Sequence, residues 1–423
     1  VTQTLSGLAA RVADLLTHPD LAPRQSHSAP WWRQSLAHGI PGVALLHIEL
    51  AAAEVRPWQR VHDWLSAATK APITSGPDSH PFYGAPALAH PLACVAEQFP
   101  GAYKRTLDGF DQSIRAEAHR RVAAAHRRID SGDLPALAEF DALQELTGYG
   151  AYLLRRDPDA PVVAHILTYL VRLTAPISHG EDEAPGWWTL SGPSGRPDDR
   201  FPDGHANNSL AHGIAGVLSL LSLAARRRRR VRGQLHAIRS ICAWLDRWHD
   251  ASGRGSAWPY WVTRAQLRSG HLKSAGVSRP SWCYGTAGLA RAQQLAALAL
   301  GDSDRQLTAE RELLDALTDR RHLAATTDIA LCHGFAGLAH VAARTADDAL
   351  SATAGELRAV LPALLSAVLP PGTDPENTVT ELMEADDGGP GLLDGTAGVA
   401  LATLAPSTGT APHCAWDACL LIS

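Results

Sequence analysis

The chain has 423 residues, 45% of them hydrophobic and 19% charged, with a formal net charge of −5. So apolar a chain with so few charges is not disordered. The acidic balance argues against a whole-surface nucleic-acid binder, and no apolar run reaches the ~18–20 residues of a membrane span. Length alone allows two or three domains or one large closed architecture. Six cysteines (Cys94, Cys242, Cys283, Cys332, Cys414 and Cys419) are too few and too scattered for a disulfide framework. They fit the reduced, buried or metal-bound thiols of a cytoplasmic protein.

At the N-terminus, Leu5, Leu8, Val12, Leu15 and Leu16 recur at helical spacing and predict an amphipathic helix rather than a signal peptide. A short phrase then recurs: a glycine, two residues, a small residue, and an apolar run. It appears as His38-Gly39-Ile40-Pro41-Gly42 and as Gly84-Ala85-Pro86-Ala87. Around Gly148 it is degraded, with Glu145 where the first glycine belongs. It returns as His212-Gly213-Ile214-Ala215-Gly216, Cys283-Tyr284-Gly285-Thr286-Ala287-Gly288, Cys332-His333-Gly334-Phe335-Ala336-Gly337 and Asp394-Gly395-Thr396-Ala397-Gly398. Successive copies of the seven lie 45 to 72 residues apart, room for two helices and their connections. The intervening text is Ala-, Leu- and Arg-rich, as in 112–130 and 235–249. The pattern predicts an all-α fold of seven helical hairpins, each phrase starting a helix apolar on nearly every side and therefore buried. An open solenoid and a closed ring both fit; the lack of strongly polar terminal caps favours closure. Two interruptions break the pattern. The segment 176–207 is rich in Gly, Pro, Ser and Asp and reads as an irregular loop or part of a small extension, with a short strand near Trp187-Trp188-Thr189-Leu190. The second, 251–281, carries Gly255, Trp258, Pro259 and Trp261, and the tail after about 404 has no clear periodicity.

Three phrases carry a reactive side chain at or just before their first glycine: His212, Cys283, and the pair Cys332-His333. If the hairpins are equivalent, these residues share one end of the assembly. Two thiolates and an imidazole form a borderline-soft donor set suited to zinc, and three protein ligands leave the fourth position open, as in catalytic sites. Cys283, Cys332 and His333 are therefore the expected metal ligands, with His212 nearby as an acid/base group. Taken singly, a cysteine in an apolar chain is a small buried hydrophobe, which is the reading for Cys94 and Cys242. His38 lacks a partner cysteine and reads as a turn cap. His413-Cys414 and Cys419 read as an apolar C-terminal segment rather than a second metal cluster.

The phrases LAHGIAG, WCYGTAGLA, LCHGFAGLAH and LLDGTAG resemble the lanthionine synthetase C-like family, cyclases that make thioether bridges in ribosomally produced peptides. Gly255-Ser256-Ala257-Trp258-Pro259 also resembles that family's glycine-x-x-Trp-Pro stretch. The resemblance covers about 30 to 400 and is strongest from 208 to 400. It implies an α/α toroid in a single domain over 1–423, with zinc held by Cys283, Cys332 and His333. It also implies that His212 is the catalytic histidine and Asp141 its neighbouring aspartate, although Glu145 replaces the glycine expected four residues after Asp141. With no kinase-like or lyase-like segment before the toroid and no room for a fused dehydratase, the resemblance is to a stand-alone cyclase. Its implied partners are a dehydrated precursor peptide with its leader and a separate dehydratase.

The implied reaction is an intramolecular Michael addition of a cysteine thiol to dehydroalanine or dehydrobutyrine, giving lanthionine or methyllanthionine. Zinc ionises a thiol that is only a few per cent thiolate at neutral pH, and His212 protonates the resulting enolate. Two alternatives stay open: a zinc prenyltransferase-like α/α barrel, and a non-catalytic peptide- or glutathione-binding scaffold. The run Arg226–Arg230 reads first as a solvated helix end, and second as a docking surface for an acidic leader or a dehydratase.

Overall fold

The computed structural model describes residues 2–22, 29, 31–179, 182–250, 252, 255–272, 276–384 and 388–423. Every copy of the phrase starts a helix. The seven run over Ile40–Ala52, Ala85–Gln98, Leu146–Arg156, Ile214–Arg226, Thr286–Leu300, Phe335–Asp348 and Thr396–Thr408. The second small residue of each phrase is the third residue of its helix. Lack of room calls for a small residue there, glycine in six copies and Ala87 in the other, because the preceding turn folds back over the helix start. A Cβ on Gly337 would lie 1.9 Å from the Leu331 carbonyl oxygen, and one on Gly398 1.6 Å from that of Leu392. The helices are as apolar as their sequences require, and Ile40 through Ala51 and Ile214 through Ala225 are buried without a break.

The chain divides into two compact units, residues 1–114 with 326–417, and 115–325 with 418–423. In the first, the helices starting at Ala85, Ile40, Thr396 and Phe335 pack in that order, each on the next. Trp58–Ala68 backs the helix from Ile40, and Ala354–Val368 backs the helix from Phe335. The helix Thr396–Thr408 takes its partner from the opposite end of the chain, Thr2–Leu15. This is the expected N-terminal amphipathic helix, and its Leu8, Val12 and the following Leu16 are buried. The side chain of Leu5 lies outside the described residues. In the second unit, the helices starting at Leu146, Ile214 and Thr286 pack in order, backed by Pro161–Leu173, Gln234–Arg247 and Ser303–Thr318.

The two interruptions form strands in the second unit. Strands β1 (Ile177–His179) and β2 (Asp182–Ala184) form an antiparallel pair. Strands β3 (Trp188–Thr189), β4 (His205–Asn207) and β5 (Trp261–Thr263) form an antiparallel sheet in that order, pairing Asn207 with Trp261. The strand expected near Trp188 is present, and 251–281 supplies the third strand of its sheet. Cys94 and Cys242 are buried, as are Cys414, Trp416 and Leu420–Ile422 of the tail. The arginine run ends the helix Ile214–Arg226; Arg228 adopts φ 60° and Arg229 pairs with Asp159. Among the described residues no helix is long and apolar enough to cross a membrane.

Candidate metal and acid–base site

The phrase turns are hydrogen-bonded to one another within each unit, which lines up their reactive side chains. In the second unit, Leu210 and Ala211 donate their N–H groups to the Cys283 carbonyl at 3.0 and 3.2 Å, and Ala142 donates to that of Ala211 at 3.0 Å. Strand β4 leads straight into this turn, and Asn208 Nδ2 is anchored on the Pro259 carbonyl, which gives the Trp258-Pro259 stretch a structural task. Serine caps the turns: the N–H groups of His38, His212 and Tyr284 donate to Ser35, Ser209 and Ser281 Oγ at 3.1, 3.0 and 3.3 Å. The cap expected of His38 is thus supplied by Ser35, and the His38 ring sits against Trp31.

This register unites Asp141, His212 and Cys283. Asp141 is buried; its Oδ1 accepts the N–H groups of Leu143 and Gln144 at 2.5 and 3.0 Å. Its Oδ2 lies 2.6 Å from His212 Nδ1. The two backbone bonds fix the carboxylate although glycine is missing at 145. Glu145 begins its helix with φ −144° and ψ −145°, a conformation open to any residue, and its carboxylate pairs with Arg121. Burial pulls the His212 pKa down, but the charge and hydrogen bond of Asp141, then the Cys283 charge, outweigh it and leave it above 6.5. His212 is 26% exposed and reachable. Beside it stands the Tyr284 ring, 5.7 Å between centroids, its phenol pushed by burial up to about 12 and hence a neutral hydrogen-bonding group.

The first unit holds the second cluster. Cys332 donates its N–H to the Leu393 carbonyl at 2.9 Å, which sets the phrases of His333 and Asp394 side by side. His333 Nδ1 lies 2.9 Å from Asp328 Oδ2, and Nε2 lies 3.3 Å from Asp394 Oδ1. Asp328 is held by the Ala330 N–H, which its Oδ1 accepts at 2.9 Å. One ligand atom from each of Cys332, His333 and Asp394 falls within 4.8 Å of the others. A thiol, an imidazole whose far nitrogen is occupied by a carboxylate, and a second carboxylate fit a divalent transition metal.

Each sequence-expected residue thus lies in a cluster: Asp141, His212 and Cys283 in one unit, Cys332 and His333 in the other. Sequence reasoning missed Tyr284, Asp328 and Asp394. Tyr284 and Asp394 had a signal, since each directly precedes the first glycine of its phrase, as His212 and His333 do. Asp328 had none, because its role depends on how the turn folds.

The family model described as "Lanthionine synthetase C-like protein" matches residues 30–421, and the chain belongs to that family. It is similar to the nisin biosynthesis protein NisC of Lactococcus lactis subsp. lactis, 22% identical over 320 residues, covering 73% of this chain and 72% of that protein. A solved structure described as nisin cyclase matches with a TM-score of 0.75 at 19% identity, covering 99% of this chain and 97% of the other. The fold is of the α/α-toroid class that the family resemblance implied.

Proposed function

We propose that this protein is a cytoplasmic, zinc-dependent lanthipeptide cyclase. It adds cysteine thiols of a dehydrated precursor peptide to dehydroalanine or dehydrobutyrine, forming thioether rings, with a separate dehydratase supplying the substrate. We read 1–423 as one cyclase domain, with 176–207 contributing to its small extension. The family match, a relative named as a nisin biosynthesis protein and a solved structure described as nisin cyclase support the activity. The observation that carries the reading is the His212–Asp141 pair at 2.6 Å beside Cys283.

In this reading Cys283, Cys332 and His333 are the zinc ligands. Zinc would supply the Lewis acidity that keeps a thiol sulfur ionised at neutral pH. Asp328 occupies His333 Nδ1, presenting Nε2 as the ligand nitrogen. Asp141 occupies His212 Nδ1, so Nε2 carries the transferable proton. The thiol releases its proton to solvent, the sulfur bonds to the β-carbon of the dehydro residue, the π electrons move towards the carbonyl, and the α-carbon takes a proton from His212 Nε2, which solvent then replaces. Burial opposes that proton, but the Asp141 charge and hydrogen bond, with the Cys283 charge, raise the His212 pKa and favour it.

Cyclisation leaves mass unchanged but consumes thiols, so alkylation followed by mass spectrometry reads it. Wild-type protein with zinc should remove alkylatable thiols from a dehydrated peptide; an unchanged adduct count rejects the proposal. His212→Ala should retain zinc and lose turnover.

A further inference from the structure

The Tyr284 ring beside His212 touches two more rings, Tyr260 at 5.5 Å and Trp261 at 6.2 Å between centroids. Trp261 in turn meets Phe201 edge to face at 5.2 Å. Aromatic residues make up only 6% of the chain, so four rings on one side of the acid are a local concentration. The reaction just described uses neither Tyr260 nor Trp261. Both are half-buried, and with Trp258 and Pro259 they wall a cavity of about 650 Å³. That size suits a site for a small molecule or a side chain. The walls select the ligand. Among the described residues no Asp, Glu, Lys or Arg lines the cavity, so charge draws in neither sign of ion. Its polar side chains bond their own neighbours. Gln266 Oε1 accepts the Thr263 N–H at 2.8 Å, Ser278 Oγ lies 2.5 Å from Ser256 Oγ, and the Tyr260 hydroxyl donates to the Arg279 carbonyl at 3.0 Å. What remains for a ligand is flat ring surface, which favours another ring.

We propose that this cavity is a subsite for an uncharged aromatic side chain of the peptide substrate, stacked on Tyr260 and Trp261. The inference rests on the cyclase reading above. Continuity with the acid identifies the occupant: ring contacts of 5.5 and 5.7 Å lead from Tyr260 through Tyr284 to His212. An extended peptide advances ~3.3–3.6 Å per residue. A chain with its dehydro residue at His212 therefore brings a side chain about three residues away over Tyr260. Binding energy gained there would set which dehydro residue is presented to the acid.

The test uses the full chain with zinc and synthetic peptides holding one dehydroalanine and one cysteine. Each peptide carries a single phenylalanine or serine at one position, up to about four residues from the dehydroalanine. Wild type should favour phenylalanine over serine about tenfold in kcat/KM at the position that reaches Tyr260, as expected for burying a ring. Trp261→Ala and Tyr260→Leu should each cut that preference to about twofold or less. A purely structural role would slow both peptides alike and leave their ratio unchanged. Because Trp261 lies in β5, Tyr260→Leu, just outside the strand, keeps the test decisive if the first variant fails to fold. An unchanged ratio in a folded variant, or no preference at any position in wild type, overturns the proposal. Fluorescence anisotropy of the same peptides, dye-labelled, separates the subsite from the cyclase reading. If wild type cyclises nothing yet binds the phenylalanine peptide more tightly, and either variant abolishes that difference, the cyclase reading fails and the subsite stands. Cyclisation without any preference rejects the subsite alone.

Discussion

Gly337→Ala probes the packing that creates the site. The added Cβ would sit 1.9 Å from the Leu331 carbonyl oxygen, against a usable contact of roughly 3.4 Å. The turn or the helix start must move by about 1.5 Å, a small-to-large strain of about 1–3 kcal/mol. The movement breaks into the hydrogen bonds that Gly334 and Gly337 donate to the Ala330 carbonyl at 3.0 and 3.3 Å. Losing both costs about 2 kcal/mol more. Alanine recovers at most ~1 kcal/mol of helix propensity. The net expectation is a destabilisation of about 2–4 kcal/mol, measured by urea unfolding followed by tryptophan fluorescence. Gly109 is the control: it lies in Lys104–Asp130 with nothing within 4 Å of its would-be Cβ. Gly109→Ala should be neutral or stabilising by ~0.5–1 kcal/mol. If Gly337→Ala matches wild type to within about 0.5 kcal/mol, the steric account of the phrase is wrong. Because Cys332 and His333 ride on the displaced turn, zinc affinity should fall with stability.

In Asp141→Asn the His212 pKa should drop below 6.5, since burial remains once the opposing charge is gone; imidazole NMR against pH checks it, and an unmoved titration would show that Asp141 does not set that proton. Glu145 has its pKa pushed up to about 7, chiefly by burial, so the folded state holds its proton more tightly than the unfolded chain. Its contribution is greatest below about pH 4.5 and is lost as pH rises through about 7, up to ~3 kcal/mol. Stability relative to Glu145→Gln should therefore decline between pH 5 and 8; a flat or rising difference contradicts this. Asp417 is fully buried against His340 and Arg344 at 2.9 and 2.8 Å, so its carboxyl is held far below the usual range. Asp417→Asn should lose about 3–5 kcal/mol in denaturant melts, and a loss under ~1 kcal/mol would show that this buried pair contributes little.

The recurring phrase located seven buried helix starts, because a backbone folded over a helix start leaves room only for a small residue and so leaves a mark in the sequence. It also fixed which residues stand beside each turn, and hence the candidacy of His212, Cys283, Cys332 and His333. Asp141 was legible only through family resemblance, since the local phrase is degraded there, with Glu145 in place of its first glycine. Tertiary structure alone decided what turns do to one another. Asp328 reaches His333 because the chain reverses between them, and Asp394 reaches it because Cys332 bonds to Leu393, 61 positions further along the sequence. It also drew the N-terminal helix onto Thr396–Thr408 and gave 176–207 its third strand from 251–281. Such pairings rest on hydrogen bonds and buried area between distant segments, and neither leaves a periodicity in the residues that take part.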